Sequence, residues 1–225
     1  MRTTGTEQQI FERADATQAV ANTLFSGSSG YQWDEMSLFD FAARIASARN
    51  ARRLADDKKA DYDAQRGIVN ALFDDLETRK IQALGMAKYR FRQDAEVTAM
   101  LESVGEYGDG REDTLKEADE WVAAWKNIDP TWSPTTGNSL AAFEALNLEG
   151  AAQLKTLTNL KSNARKAGID LNALLAELED LCVAWYGVAT RAFPVGTMEG
   201  DLIRSQIPTF VGGSPAVAPT PAPTP

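Results

Sequence analysis

Residues 171–193 read LNALLAELEDLCVAWYGVATRAF, and residues 69–91 read VNALFDDLETRKIQALGMAKYRF. In the first stretch Leu171, Leu174, Leu175, Leu178, Leu181, Cys182, Trp185, Ala189 and Phe193 recur at i, i+3, i+4 and i+7, which gathers them on one face of an α-helix. The second stretch carries a comparable stripe in Val69, Leu72, Phe73, Leu76, Leu84 and Ala87. Shifted by 102 residues, the two coincide without a gap: Asn70-Ala71-Leu72 falls on Asn172-Ala173-Leu174, Leu76-Glu77 on Leu178-Glu179, and Gly85, Ala87 and Phe91 on Gly187, Ala189 and Phe193. Helices rich in alanine and leucine match one another by chance, but Asn, Glu, Gly and Phe in one register are harder to obtain that way.

The same shift carries outward from this segment. Ser37-Leu38 and Phe41 match Ser139-Leu140 and Phe143, and Val20-Ala21 matches Val122-Ala123. The expected architecture is therefore all-α: an internally duplicated bundle of about six main helices, in which residues 1–104 form a first three-helix unit and 105–207 a second packed with it. A disordered Gly/Pro-rich tail is expected over 208–225. Gly85 and Gly187 are the expected helix-packing positions, because glycine inside a helix costs up to about 1 kcal/mol and a close crossing would account for its recurrence.

Along the chain, a first helix is expected over about 9–25, with Ser26-Gly27-Ser28-Ser29-Gly30 after it. A second begins near Met36, with Arg44, Arg49, Arg52 and Arg53 on its polar side. Gly67 is the better candidate for a break before helix resumes to about 104; the alternative is one uninterrupted helix of about 100 Å over 36–104. Val104-Gly105-Glu106-Tyr107-Gly108-Asp109-Gly110 marks an internal boundary, followed by a helix over 112–127. Asp129-Pro130-Thr131-Trp132-Ser133-Pro134 is a turning connection. Asn138 or Ser139 caps a helix running to Lys166; Gly168 then ends it and Asp170 caps the next. Past Pro194-Val195-Gly196-Thr197, the segment 198–208 keeps enough apolar residues for a short docked helix or clasp.

Composition limits the chemistry. The 225 residues include no histidine and one cysteine, Cys182, so neither a histidine relay, a histidine metal ligand, an internal disulfide nor a multi-thiolate site exists in this chain. A net charge of −9 disfavours nonspecific nucleic-acid binding, and the arginines of 44–53 read as a solvated face laced with ion pairs. That charge balance makes a nucleic-acid partner unexpected, and membrane insertion is not expected because no run approaches about 18 apolar residues. Cytoplasm is the default location, with export by a dedicated machine as the alternative.

Four carboxylates are weak metal candidates: Asp74 with Glu77, and Glu177 with Asp180, each pair three residues apart on one helix face. No catalytic residue, no cofactor and no metal is expected. Trp33, Trp121, Trp125 and Trp132 are partner-binding candidates beside the two connections, although core anchoring is the favoured reading of the aromatics there. Residues 215–225 hold five of the nine prolines, and Ala218-Pro219-Thr220-Pro221-Ala222-Pro223-Thr224-Pro225 favours an extended polyproline conformation. The reading that follows is a non-enzymatic structural or protein-interaction protein that self-assembles or binds a protein partner. The alternatives are a peptide- or ligand-binding module and a carboxylate metal-dependent helical enzyme.

Overall fold

The structure is a computed structural model that describes residues 5–25, 32–33, 36–105, 107–108 and 110–208. Six α-helices account for nearly all of it: α1 (Glu7–Phe25), α2 (Leu38–Arg90), α3 (Ala95–Ser103), α4 (Arg111–Ile128), α5 (Leu140–Ala192) and α6 (Met198–Gln206). A two-residue antiparallel ladder, β1 (Gln32–Trp33) with β2 (Met36–Ser37), leads into α2. Most of the tail, residues 209–225, lies outside the described residues, as does the 26–30 segment.

Two expected helix breaks do not occur. Helix α2 runs through Gly67 without interruption, and α5 runs through Gly168 and Asp170. A glycine withdraws about 1 kcal/mol from an interior helical position, which a helix anchored on both sides by buried side chains tolerates. The first long helix ends at Arg90 instead. Asp94 then starts α3, its side chain accepting from the Glu96 and Val97 amides at 3.0 and 3.1 Å. At the other long-helix starts, the Ser37 hydroxyl accepts from Asp40 N at 3.1 Å, and the Ser139 hydroxyl from Ala142 N at 3.2 Å. These two caps stand 102 residues apart.

The ends and buried faces of the long helices follow the same spacing. Helix α5 begins 102 residues after α2 begins, at Leu140 and Leu38, and ends 102 residues after α2 ends, at Ala192 and Arg90. Every fully buried position of α2 has a buried counterpart in α5 at that spacing: Phe41 with Phe143, Ile45 with Asn147, Ala48 with Gly150, Val69 with Leu171, Phe73 with Leu175, Leu76 with Leu178, Ala83 with Trp185 and Ala87 with Ala189. The short helices keep a different register. The buried Arg13, Ala14, Thr17, Val20 and Ala21 of α1 correspond to the buried Glu117, Ala118, Trp121, Ala124 and Trp125 of α4 at a spacing of 104. The match of Val20-Ala21 to Val122-Ala123 is thus two residues out of phase with burial, because the connection between short and long helix differs in length between the halves.

The chain divides into two compact units, residues 1–55 with 166–225 and residues 56–165. In the first, Ile10, Phe11 and Val20 of α1 and Phe41 and Ile45 of α2 pack with Leu171, Leu175, Leu178, Cys182 and Trp185 of α5 and Ile203 of α6. The clasp expected over 198–208 is therefore a helix in the core. Thr197 caps it through Gly200 N, and the Arg204 guanidinium donates to the Phe193 and Thr190 carbonyls at 3.1 Å. Arg44 to Glu177 at 2.8 Å, Arg49 to Asp15 at 2.6 Å and Arg52 to Glu7 at 2.7 Å form half-exposed pairs across its surface. In the second unit, Leu76, Ala83 and Ala87 of α2 meet Leu101 of α3, Trp121 and Trp125 of α4, and Leu140 and Phe143 of α5. Each unit thus draws one part of each long helix and two short helices.

Gly85 and Gly187 are not close-packing positions. A Cβ at either would meet nothing within 4 Å. The close approaches fall elsewhere: Gly150 lies against Leu72 and Leu115, where an added Cβ would stand 3.2 and 3.3 Å from their methyl groups, and Gly200 lies against the Phe193 and Pro194 carbonyls.

Candidate functional site

The second unit carries the chemistry that distinguishes it from the first. At the buried position occupied by Cys182 in α5, α2 has Lys80, 102 residues earlier; where α1 buries Arg13, α4 buries Glu117. Lys80 and Glu117 form an ion pair with side chains only 12% and 8% exposed. Glu117 also accepts from the Tyr107 amide at 2.8 Å. Burial by itself would raise the Glu117 carboxyl, but the hydrogen bonds from Lys80 and the Tyr107 amide outweigh it and hold the group below its ordinary range.

One turn along α4, Glu120 accepts from the Tyr107 hydroxyl and from Gly105 N at 3.0 Å, and these bonds lower its carboxyl pKa while raising that of the Tyr107 phenol. The two glutamates strap the described part of the 104–110 segment onto α4. Beside them lies a cavity of about 830 Å³ whose walls include Lys80, Leu84, Leu101, Tyr107 and Glu117. Two of its charged groups, Lys80 and Glu117, are paired with each other, so their polarity is that of a structural tie.

A second recess has the opposite character. Gly85, Met86, Tyr89 and Arg90 of α2 face Trp132 and Pro134 of the α4–α5 connection around a mainly apolar cleft of about 480 Å³. Asp129 fixes that connection by accepting from the Thr131 hydroxyl at 2.7 Å and the Thr131 amide at 3.0 Å, contacts that lower its pKa. The Trp125 indole N–H donates to the Trp132 carbonyl at 3.2 Å, and the Phe91 ring meets the Trp132 ring edge-on at 5.8 Å. The Arg90 guanidinium stands 5.7 Å over the Trp132 ring and pairs with Asp129 at 3.6 Å. Tyr89 is 72% exposed and Met86 44% exposed, and Ile81 one turn before Gly85 is 60% exposed. Ile81, Gly85 and Tyr89 stand at i, i+4 and i+8, so they form a single outward stripe.

Of the tryptophans singled out from sequence, Trp121, Trp125 and Trp132 are buried in the second unit's core, with the Trp121 and Trp125 rings 5.2 Å apart. Trp132 also borders the apolar recess. Trp33 lies in β1, its side chain outside the described set. Asp74 and Glu77 are exposed in the second unit; in the first, Asp180 is exposed and Glu177 is paired with Arg44. Among the described residues, no group of three or more His, Cys, Asp or Glu side chains is placed to hold a metal ion, and no helix is long and apolar enough to cross a membrane. Cys182 is fully buried, and burial pushes its thiol from an ordinary 9.0 up to about 11, against the opposing hydrogen bond with Thr17.

Sequence reasoning missed Tyr89, Met86 and Pro134. The signal for the first two was a tyrosine and a methionine outside the apolar stripe of a helix, beside a glycine. No family model, characterised protein or solved structure matches the chain.

Proposed function

We propose that this chain is a non-enzymatic structural or interaction protein, built by duplication of a three-helix segment and associating with further copies of itself through apolar helix surface. The observation that carries this reading is the outward stripe Ile81–Gly85–Tyr89 with Met86 beside it: Ile81, Met86 and Tyr89 are exposed on one helix, and Met86, Gly85 and Tyr89 border an apolar recess. Large apolar groups clustered on a helix face, without a core to bury them, are the usual mark of a protein contact. The Lys80–Glu117 pair and the arginine pairs of the first unit are neutralised within the fold, so the reading rests on the apolar face and not on those charges. The two segments 1–104 and 105–207 are read as the duplicated halves, on the strength of the shared helix ends, caps and buried positions.

Size-exclusion chromatography with light scattering over a concentration series tests the homomeric form. Mass rising with concentration, and falling back in Tyr89→Ser, is expected; a strict monomer throughout overturns it. A second reading, a peptide-binding module, rests on the same apolar cleft.

A further inference from the structure

We propose that the cleft between Gly85, Met86, Tyr89, Trp132 and Pro134 is a docking groove for a polyproline strand, and that its occupant is the segment 215–225 of a second copy of this chain. The proposal rests on the self-association reading above and gives it a site. Grooves that take polyproline strands are shallow, apolar and walled by aromatic rings, since a proline-rich strand offers rigid rings and unpaired carbonyls in place of long side chains. This cleft has that composition: Tyr89 and Trp132 as aromatic walls, Met86 and Pro134 as apolar lining, and Arg90 as a donor at the rim. Gly85 completes the match. It is an exposed helical residue, five before the end of α2, that costs stability and has no neighbour within 4 Å of a built Cβ, so the absence of a side chain serves the open space of the groove.

The occupant is indicated by what the chain carries beyond its described end. After Pro208 come 17 residues, of which the last twelve, Ser214 to Pro225, are only Ser, Pro, Ala, Val and Thr. They include neither a charge that would resist an apolar groove nor a large side chain that would exceed a shallow one. Prolines 219, 221, 223 and 225 alternate with alanine and threonine, so the segment loses little backbone freedom on docking. At about 3.1 Å per residue in the polyproline conformation, 17 residues extend about 50 Å, enough to leave one molecule and lie along another. Because groove and strand are different surfaces of one chain, reciprocal exchange of tails closes the contact in a pair, and one-way exchange propagates it from copy to copy.

The test uses the full-length chain and a full-length variant in which Pro215, Pro219, Pro221, Pro223 and Pro225 are all changed to Ser. A synthetic peptide of residues 214–225 is titrated into the serine variant, followed by tryptophan fluorescence and by amide shifts of Gly85 and Tyr89. Saturable binding at those amides is expected, weakened about tenfold or more by Tyr89→Ala and by Gly85→Leu, both exposed positions whose melting curves report that the fold is intact. A peptide with its prolines replaced by serine should not bind. In light scattering the native chain should exceed monomer mass with rising concentration, the serine variant should not, and free peptide should return the native chain to monomer.

The groove reading is overturned by an absence of binding, by equal binding of the serine peptide, or by shifts that map away from Gly85 and Tyr89. Equal self-association of native and serine-variant chains removes tail docking while leaving the proposed function standing. A native chain that stays monomeric at every concentration, with Gly85 and Tyr89 shifts already those of the bound form, overturns the second copy as occupant.

Discussion

Alanine at Gly85 and Gly187 should stabilise the protein, and alanine at Gly200 should do the reverse. The first two glycines lie inside α2 and α5, where an added Cβ meets nothing within 4 Å. Replacement therefore removes glycine's backbone-entropy cost without a steric penalty, a gain of about 0.5–1 kcal/mol at each site. A unit of about 110 residues unfolds with an entropy near 0.23 kcal/mol/K, so each substitution should raise the midpoint of its own unit by about 2–4 °C. At Gly200 the added Cβ would overlap the Pro194 carbonyl oxygen and stand 2.7 Å from the Phe193 carbonyl oxygen. Helix α6 would have to lift away, loosening Ile203 and Ile207, each worth about 1.5–3 kcal/mol when fully buried. A net loss of about 2 kcal/mol lowers the first unit's midpoint by about 8 °C. Thermal melts at 222 nm with urea titrations measure all three. A destabilised Gly85→Ala or Gly187→Ala would restore the close-crossing reading and refute the geometry, and an unchanged Gly200→Ala would refute the seating of α6.

Lys80→Met should cost about 3 kcal/mol in urea titration because it leaves Glu117 buried without its cation. Adding Glu117→Gln should recover most of that loss, since the neutral amide oxygen still accepts the Tyr107 N–H. Glu117 has a depressed carboxyl pKa, so the native state binds its proton less readily than the unfolded chain does. Its stabilisation is present above the ordinary value near 4.5 and is lost as pH falls through the lower folded value, more in the native protein than in the double variant. Cys182 works in the other direction: its raised pKa stabilises the fold below pH 9.0, and this contribution disappears as pH rises towards about 11. Cys182→Ala should flatten that alkaline loss, and thiol reagents at pH 8 should label Cys182 only at the rate of unfolding. Ser37→Ala and Ser139→Ala should each cost about 1 kcal/mol, with the larger loss at Ser37, where the Asp40 carboxylate also accepts from the serine hydroxyl and amide; an unchanged stability at either site in urea titration would refute the cap.

The sequence was most readable where burial repeats along one helix. The stripe from Leu171 to Phe193 and its counterpart from Val69 to Phe91 supply part of the core of each unit, and of the two residues expected to cap α5, Asn138 and Ser139, it is Ser139 that does so. The helix ends were less legible. Gly67 and Gly168 look like breaks locally, but each costs one residue's propensity, while the packed stripes on either side hold the helix together. The true stop at Arg90 is marked by Asp94, whose capping is apparent only once Ala95–Ser103 is recognised as a helix of its own. Legibility failed for the cleft because a groove is made by distant segments: nothing local to Tyr89 indicates that Trp132 and Pro134 lie opposite it. Gly85 was noticed, but its recurrence at Gly187 pointed to packing, and only the empty space around it gives the other explanation.

The division of the long helices between units sets an order for synthesis. Residues 56–165 are one continuous run, whereas the first unit needs residues up to 55 and then those from 166 onward. On the ribosome, Phe41 and Ile45 emerge long before Leu171, Leu175 and Trp185, the residues they are buried against. At roughly 5–20 residues per second, the intervening 110 residues leave that apolar stripe without its partner for about 5–20 s. The nested unit has its whole core available during that interval, while the amino-terminal helices remain exposed to chaperones until the residues from 166 onward arrive.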